Sequence, residues 1–191
     1  EEQAESINNR FDPGKSYQEN VDALQKELSE KLKDAVYFTV DTDKLHGAPY
    51  AMVGNKRIAL PEDVRPFREN GNIYVNHPFV QAVFNKELPD EIMEEAGGQK
   101  AYEIGNVAKA LKLHLWQGDK EKAPVPNFRM QPMAEGLVVL SPEKDVFSPV
   151  RDRDLINEAI NRLFDFKAND KQLKWFRDAK FGLFVHWNPS S

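Results

Sequence analysis

Residues 71–84 read GNIYVNHPFVQAVF, and the pattern of apolar side chains changes in the middle of this stretch. Residues 73–75 are β-branched or aromatic, which favours a strand. His77-Pro78 then opens an apolar run through Phe84. Proline is tolerated in the first turn of a helix because its missing N–H would be unpaired there anyway. The stretch therefore predicts a strand that leads directly into a short helix.

A similar arrangement occurs further along the chain, which suggests an internal repeat. Tyr74 and Tyr102 lie 28 residues apart, and each ends a predicted strand that is followed by a short predicted helix. An apolar residue follows each tyrosine at the same distance, Phe79 in one case and Val107 in the other. The sequence thus indicates two copies of a strand–helix unit.

The surrounding chain predicts more helices and strands. Ser16 and Glu19 have the spacing of a capping box and begin an amphipathic helix that ends near Asp34. Gly54-Asn55 lies between two short apolar runs and supplies the positive φ that a tight hairpin needs. Residues 35–40 and 136–141 read as strands. Leu155, Ile156, Ala159, Ile160 and Leu163 form one apolar helix face that Asp152 or Asp154 can cap.

Composition excludes several classes of function. The net charge of −5 argues against a nucleic-acid partner, because such proteins carry clustered Lys and Arg. No apolar run is long enough to span a membrane. The absence of cysteine excludes a disulfide, a thiolate zinc site and a cysteine nucleophile.

The hairpin around Gly54, the two strand–helix units and the strand at 136–141 together resemble the copper amine oxidase N-terminal-like domain, over about residues 36–147. This domain is common in secreted bacterial proteins. Despite its name, it carries no copper site and performs no amine oxidation. The resemblance implies an accessory or wall-associated role, with no chemistry of its own.

The last seventeen residues, 175–191, read WFRDAKFGLFVHWNPSS. Residues 181–187 are apolar almost throughout, which is typical of a strand buried on both faces of a parallel sheet. A helix precedes them, so the segment predicts the opening unit of an α/β barrel. Active-site groups in such barrels come from the carboxyl ends of the strands. This position nominates His186, with Trp187 beside it, as a ligand-facing residue.

This segment also resembles the start of the catalytic domain of the α-L-fucosidases, glycoside hydrolase family 29. The matching residues are Trp175, Lys180, Phe181, Gly182, Phe184, His186 and Trp187, whereas Asn188 replaces the usual glycine. The resemblance implies that His186 hydrogen-bonds sugar hydroxyls and that Trp187 neighbours the sugar subsite. It also implies a retaining mechanism with two carboxyl groups about 5 Å apart. No nucleophile, acid/base, metal or cofactor is assigned within this chain, which is expected to be catalytically silent.

The remaining candidate residues have simpler interpretations. His46, His77 and His114 do not have the spacing of a metal site and are predicted to be structural or solvated. Residues 41–47 resemble a turn more than a calcium loop, because the closing glutamate is missing. Four aromatic residues are interpreted as core or domain-face side chains, with a carbohydrate-stacking platform as the alternative: Phe38, Tyr50, Tyr74 and Trp116.

The predicted fold class is an α+β accessory domain followed by the first helix-strand unit of a truncated (β/α)8 barrel. The predicted divisions are a disordered lead-in at 1–15, the accessory domain at 16–148, a helical linker at 149–168 and the barrel start at 169–191.

The predicted function is that of an N-terminal fragment of a secreted bacterial glycosidase, extracellular or associated with the cell wall. It would act in carbohydrate metabolism on a fucosylated glycan or a small fucoside. The alternative is a non-catalytic module for attachment to a glycan or a cell-wall polysaccharide.

Overall fold

A computed structural model describes residues 10–40, 50–118, 136–148 and 151–164. Its centre is a five-stranded antiparallel sheet with the order β3-β2-β1-β9-β8. The strands are β1 (Val36–Thr39), β2 (Tyr50–Val53), β3 (Lys56–Ala59), β8 (His114–Gln117) and β9 (Leu137–Ser141). Strands β1 and β9 pair over four residues, which places the two most apolar strands side by side.

A second antiparallel sheet has the order β4-β5-β7-β6. Its strands are β4 (Phe67–Glu69), β5 (Asn72–Val75), β6 (Met93–Ala96) and β7 (Gln99–Glu103). The four helices in the described part of the chain are α1 (Tyr17–Lys31), α2 (His77–Phe84), α3 (Ile104–Leu111) and α4 (Arg153–Asn161). Helix α2 follows β5 directly and helix α3 follows β7, as the sequence predicts.

The central sheet buries both of its faces. Phe38 on β1 and Leu140 on β9 belong to a core that also contains residues of α2, α3 and the second sheet. Tyr37 and Val139 point to the opposite face, where they share a second core with α1 and α4. Because side chains alternate along a strand, a sheet covered on both sides needs apolar residues at consecutive positions. This requirement explains the uninterrupted apolar runs of β1 and β9.

The helix ends follow the local sequence signals. The Ser16 side chain accepts a hydrogen bond from the Glu19 amide, and the Glu19 carboxylate accepts one from the Ser16 amide, so the predicted capping box is confirmed. Helix α1 ends at Lys31, slightly earlier than expected. The five apolar residues predicted for α4 and its end are all buried against the central sheet and α1. Helix α4 lies within the stretch predicted as a linker, and its apolar face forms part of this core.

The internal repeat is present, but its unit is a hairpin followed by a helix and its period is 27 residues. Asn76 and Glu103 occupy the N-cap positions of α2 and α3, and Asn85 and Lys112 occupy the left-handed C-cap positions. Each pair is separated by 27 residues, as are Val75 and Tyr102, which pair across β5 and β7. The two units are thus related by an approximate two-fold axis through that pair.

The predicted fold class was wrong. The described residues form an α+β structure with two antiparallel sheets and four helices, and they contain no (β/α)8 unit. Every strand pairing among the described residues is antiparallel, whereas a barrel of that type is built from parallel strands joined by crossover helices. The segment interpreted as the barrel start, 169–191, lies outside the described residues. Within the part of the chain that the structure covers, no helix has the length and apolar character needed to cross a membrane.

Two glycines of hairpin turns give a matched test of the backbone. Both Gly54 and Gly98 have positive φ, but a Cβ on Gly54 would lie 2.5 Å from the Lys33 carbonyl oxygen, whereas one on Gly98 would meet nothing within 4 Å. We expect Gly98→Ala to lower the free energy of unfolding by about 1 kcal/mol, the cost of the left-handed conformation alone. Gly54→Ala should cost about 3 kcal/mol because the clash adds to that conformational cost. Urea denaturation of both variants measures the difference, and equal losses would contradict the close approach of Gly54 to the Lys33 carbonyl group, just after the end of α1.

Candidate functional site

The residues predicted to bind sugar, His186 and Trp187, lie outside the described residues, as does the rest of the fucosidase-like string. Of the other histidines, His46 is also outside. His77 begins α2 and His114 begins β8, in different parts of the fold. Across the described ranges, no group of three or more His, Cys, Asp or Glu side chains could hold a metal ion. The turn or calcium-loop interpretation of residues 41–47 likewise concerns residues that are not described.

The four aromatic residues considered as a sugar platform are not brought together. Phe38 lies in the core between the central sheet and α2, and its ring is in edge contact with Phe79. Tyr74 lies on the outer face of the second sheet, stacked on Phe67. Trp116 packs on the α1–α4 side, where its Nε1–H donates to the Phe147 carbonyl oxygen at 3.1 Å. These three side chains serve packing, as their core interpretation predicts, whereas Tyr50 is partly exposed at the start of β2 and lies beside the Arg57 guanidinium.

Four of the five polar side chains that are buried in the described part of the chain bind backbone groups. Asn76 accepts from the Phe79 amide at the start of α2 and donates to the Asp63 carbonyl oxygen. Asn20 bonds both the amide and the carbonyl of Asp12, and Ser141 accepts from the Glu143 amide. The fourth is Asp152, which accepts from the Ser148 amide at 2.7 Å. These groups satisfy helix ends and turns, which would otherwise leave polar backbone atoms unpaired.

Asp152 is also the centre of an ion-pair network. Its side chain is 1% exposed and lies 2.6 Å from Nη2 of Arg10, which also pairs with Glu27 of α1. Burial by itself would raise the pKa of Asp152, but the hydrogen bond from the Ser148 amide and the neighbouring Arg151 outweigh it and lower the pKa below its ordinary value. The network joins the start of the described chain to the start of α4.

A second cluster, which we call the exit clamp, consists of Arg57, Tyr50, Arg162, Leu163 and Phe164. Arg57 donates to the Arg162 carbonyl oxygen at 2.9 Å and to that of Phe164 at 3.3 Å. The Tyr50 amide donates to the Leu163 carbonyl oxygen at 2.8 Å, and the Arg57 guanidinium lies 4.7 Å from the centre of the Tyr50 ring.

The Arg162 side chain extends the exit clamp to α1. It donates to the Gln25 carbonyl oxygen at 2.9 Å and to the Ser29 hydroxyl at 3.0 Å. Residues 162–164 are therefore held against both the β2–β3 hairpin and α1, so the position from which the chain continues is fixed relative to the central sheet.

Sequence reasoning did not single out Arg10, Arg57 or Arg162. Arginines are common on surfaces, and their partners here are distant in sequence: Arg10 and Asp152 are 142 residues apart, and Arg57 and Phe164 are 107 apart. Asp152 was one of two candidate helix caps, with Asp154, and the structure places Asp152 at the N-cap; its partner Arg10 could not be predicted. The two clusters hold chain segments in place, because one guanidinium can donate hydrogen bonds to several carbonyl or carboxylate oxygens at once.

Comparison of the chain with protein-family models, with curated proteins and with solved structures gave no match. The resemblances to the α-L-fucosidases and to the copper amine oxidase N-terminal-like domain therefore stay predictions.

The Asp152 network makes the free energy of unfolding depend on pH in the acidic range. Because the pKa of Asp152 is lowered on folding, its contribution is fully present above the unfolded-state pKa of about 3.9 and is lost as the pH falls through the lower folded-state pKa. We expect Asp152→Asn to lower the free energy of unfolding at pH 7 by about 3 kcal/mol, since Arg10 loses a buried partner. Urea denaturation between pH 2 and 7 measures both effects.

Asp154→Asn is the matched control, because it removes the same charge from a partly exposed position on the same helix. It should change stability by about 0.5 kcal/mol or less. If Asp152→Asn and the wild type lost stability in parallel below pH 4, the network would not be the source of the acid sensitivity.

The exit clamp predicts that loss of the Arg57 side chain loosens the chain locally, around Tyr50 and residues 162–164. We expect Arg57→Ala to accelerate hydrogen exchange at the Tyr50 amide, because residues 162–164 lose two hydrogen bonds that hold them in place. The global free energy of unfolding should fall by about 1–2 kcal/mol. Lys56→Ala, at the neighbouring exposed position of β3, is the control and should leave that exchange rate unchanged. Unchanged exchange in Arg57→Ala would mean that the backbone contact alone holds the segment.

Proposed function

We propose that this chain belongs to a secreted bacterial glycoside hydrolase of the α-L-fucosidase type, in which the described residues form a non-catalytic accessory domain. The observation that carries the proposal is the Lys-Phe-Gly-x-Phe-x-His-Trp string at 180–187. Several of its positions are fixed in residue type at once, which is more specific than a general apolar pattern. The substrate class that follows is a fucosylated glycan or a small fucoside, and no cofactor is needed.

In this proposal His186 binds the sugar. A neutral imidazole donates a hydrogen bond from one ring nitrogen and accepts one at the other, so it can recognise two hydroxyl groups whose orientations differ. Trp187 would lie beside the sugar and exclude water from one side. A retaining glycosidase also needs a carboxylate nucleophile and a carboxylic acid about 5 Å apart. We assign neither role to a residue of this chain.

The described domain supports an accessory role through the way its polar groups are used. Its buried carboxylate, Asp152, is held by an arginine and a backbone amide, and its buried amides bind backbone at Asp12, Asp63 and the start of α2. These interactions stabilise the fold. The exit clamp then fixes residues 162–164 against the central sheet, which suits a domain that presents a following segment in a defined direction.

The alternative is a module for attachment to a glycan or the cell wall, without a hydrolase. What favours it is the completeness of the packing: both faces of the central sheet are covered by helices and by the second sheet within the described part of the chain. A domain of this kind can act as a spacer or a binding unit. The two functions differ in whether the gene encodes catalytic carboxyl groups after Ser191.

The proposal predicts hydrolysis of an aryl α-L-fucoside by the longest product of the gene. Sequencing past the codon for Ser191 gives the reading frame, and release of the aryl alcohol measures activity. We expect His186→Ala to reduce kcat/KM by about a hundredfold or more, because a site built to hydrogen-bond sugar hydroxyls loses its donor and acceptor.

The matched control is His114→Ala, which changes the same residue type at an exposed position of β8. It should leave hydrolysis unchanged. A reading frame that stops at Ser191, or a longer product that hydrolyses no fucoside, would favour the attachment module. Equal loss in the two histidine variants would indicate a folding defect, and the melting temperature distinguishes that case.

A further inference from the structure

Two exposed aromatic side chains lie next to each other at the start of α1. Tyr17 is 76% exposed and Phe11 is 40% exposed. Among the large hydrophobic side chains in the described part of the chain, these two are the exposed ones. Their ring centres are 6.2 Å apart and the ring planes are tilted by 31°. The two rings therefore form a small aromatic surface that faces solvent.

The backbone that carries these rings is fixed by hydrogen bonds. The Asp12 backbone amide donates to Oδ1 of Asn20 at 2.8 Å, and the side-chain Nδ2 of Asn20 donates back to the Asp12 carbonyl oxygen at 3.0 Å. The capping box of Ser16 and Glu19 holds the turn just before Tyr17. Arg10, which precedes Phe11, is anchored to Asp152 and Glu27. A preformed surface loses little conformational entropy when a ligand binds, which favours binding.

Charged groups flank the rings: one ion pair and the exposed carboxylate of Glu19, two residues after Tyr17. Asp12 and Lys15 have side chains that are 53% and 52% exposed, and their charged atoms are 3.9 Å apart. Such a loose, exposed pair leaves a carboxylate oxygen and ammonium hydrogens available to hydroxyl groups. The surface is therefore aromatic, carries a small excess of carboxylates once the exposed Glu19 is included, and can both donate and accept hydrogen bonds.

We propose that Phe11 and Tyr17 form a stacking surface for the pyranose rings of a neutral polysaccharide. A sugar ring has an apolar face of C–H groups and a rim of hydroxyls, which matches two rings flanked by a donor and an acceptor. Two side chains are too small an area for a stable protein–protein interface, which needs about 800 Å² on each partner. The excess of carboxylates beside the rings favours an uncharged polymer over an anionic one. This inference rests on the proposed function, because it names the ligand class of the accessory domain.

The test is affinity electrophoresis of the chain in native gels that contain fucosylated xyloglucan, a neutral polysaccharide. We expect the polysaccharide to retard the wild type, and Tyr17→Ala or Phe11→Ala to bind about fivefold more weakly, as expected for the loss of one stacked ring. Tyr17→Phe keeps the ring and should keep the retardation. Lys26→Ala, at another exposed position of α1, is the surface control.

Binding is measured here without catalysis, so failure of the stacking surface and failure of the fucosidase proposal give separate results. Equal retardation of Tyr17→Ala and the wild type would overturn the stacking surface, as would the absence of any retardation. Retardation only by a sulfated fucan, abolished by salt, would indicate charge binding and contradict the proposal. Self-association in ultracentrifugation that disappears in Tyr17→Ala would make the pair a protein contact instead. The melting temperature of each variant confirms that it is folded.

Discussion

The burial of the central sheet on both faces is the constraint on which the rest of the structure depends. Strands β1 and β9 lie in the middle of the five-stranded sheet, and their side chains alternate between two cores. One core needs α2, α3 and the second sheet to cover it, and the other needs α1 and α4. If either layer were removed, about half of the apolar side chains of β1 and β9 would face water. Each exposed side chain would lower the free energy of unfolding by about 1.5–3 kcal/mol. The helices at both ends of the described chain are therefore integral to the domain.

Local signals in the sequence predicted much of this fold. The capping box at Ser16, the hairpin at Gly54 and the apolar face of α4 follow from side-chain chemistry within a few residues. The parallel strand predicted from the apolar run at 181–187 lies outside the described residues, whereas the similarly apolar strands β1 and β9 pair antiparallel. A continuous apolar run indicates that both faces of a strand are covered, and an antiparallel sheet meets that condition when other layers pack on both of its sides.

The sequence did not predict strands β4 and β6 or the 27-residue period of the repeat. Strand β6 reads Met-Glu-Glu-Ala, and its two glutamates are exposed at the edge of the second sheet, where charge prevents pairing with another chain. The tyrosines that suggested a period of 28 are not equivalent: Tyr102 is buried in the main core, whereas Tyr74 lies on the outer face. A shift of one residue moves a side chain to the other face of a strand.

The candidate site could not be predicted from the sequence, because the exit clamp and the Asp152 network join residues more than a hundred positions apart.

The two arginine clusters also determine how the domain would respond to mechanical force. A force that stretches the chain would act on the described domain at Arg10 and at Phe164. These two points are tied to each other through α1 and α4, by Arg10 with Glu27 and Asp152 and by Arg162 with Gln25 and Ser29. The load path therefore runs across the helical layer and the hydrogen bonds of the two clusters. The second sheet, with its hairpin–helix pair, lies off that path and would stay folded while the helical layer bears the tension.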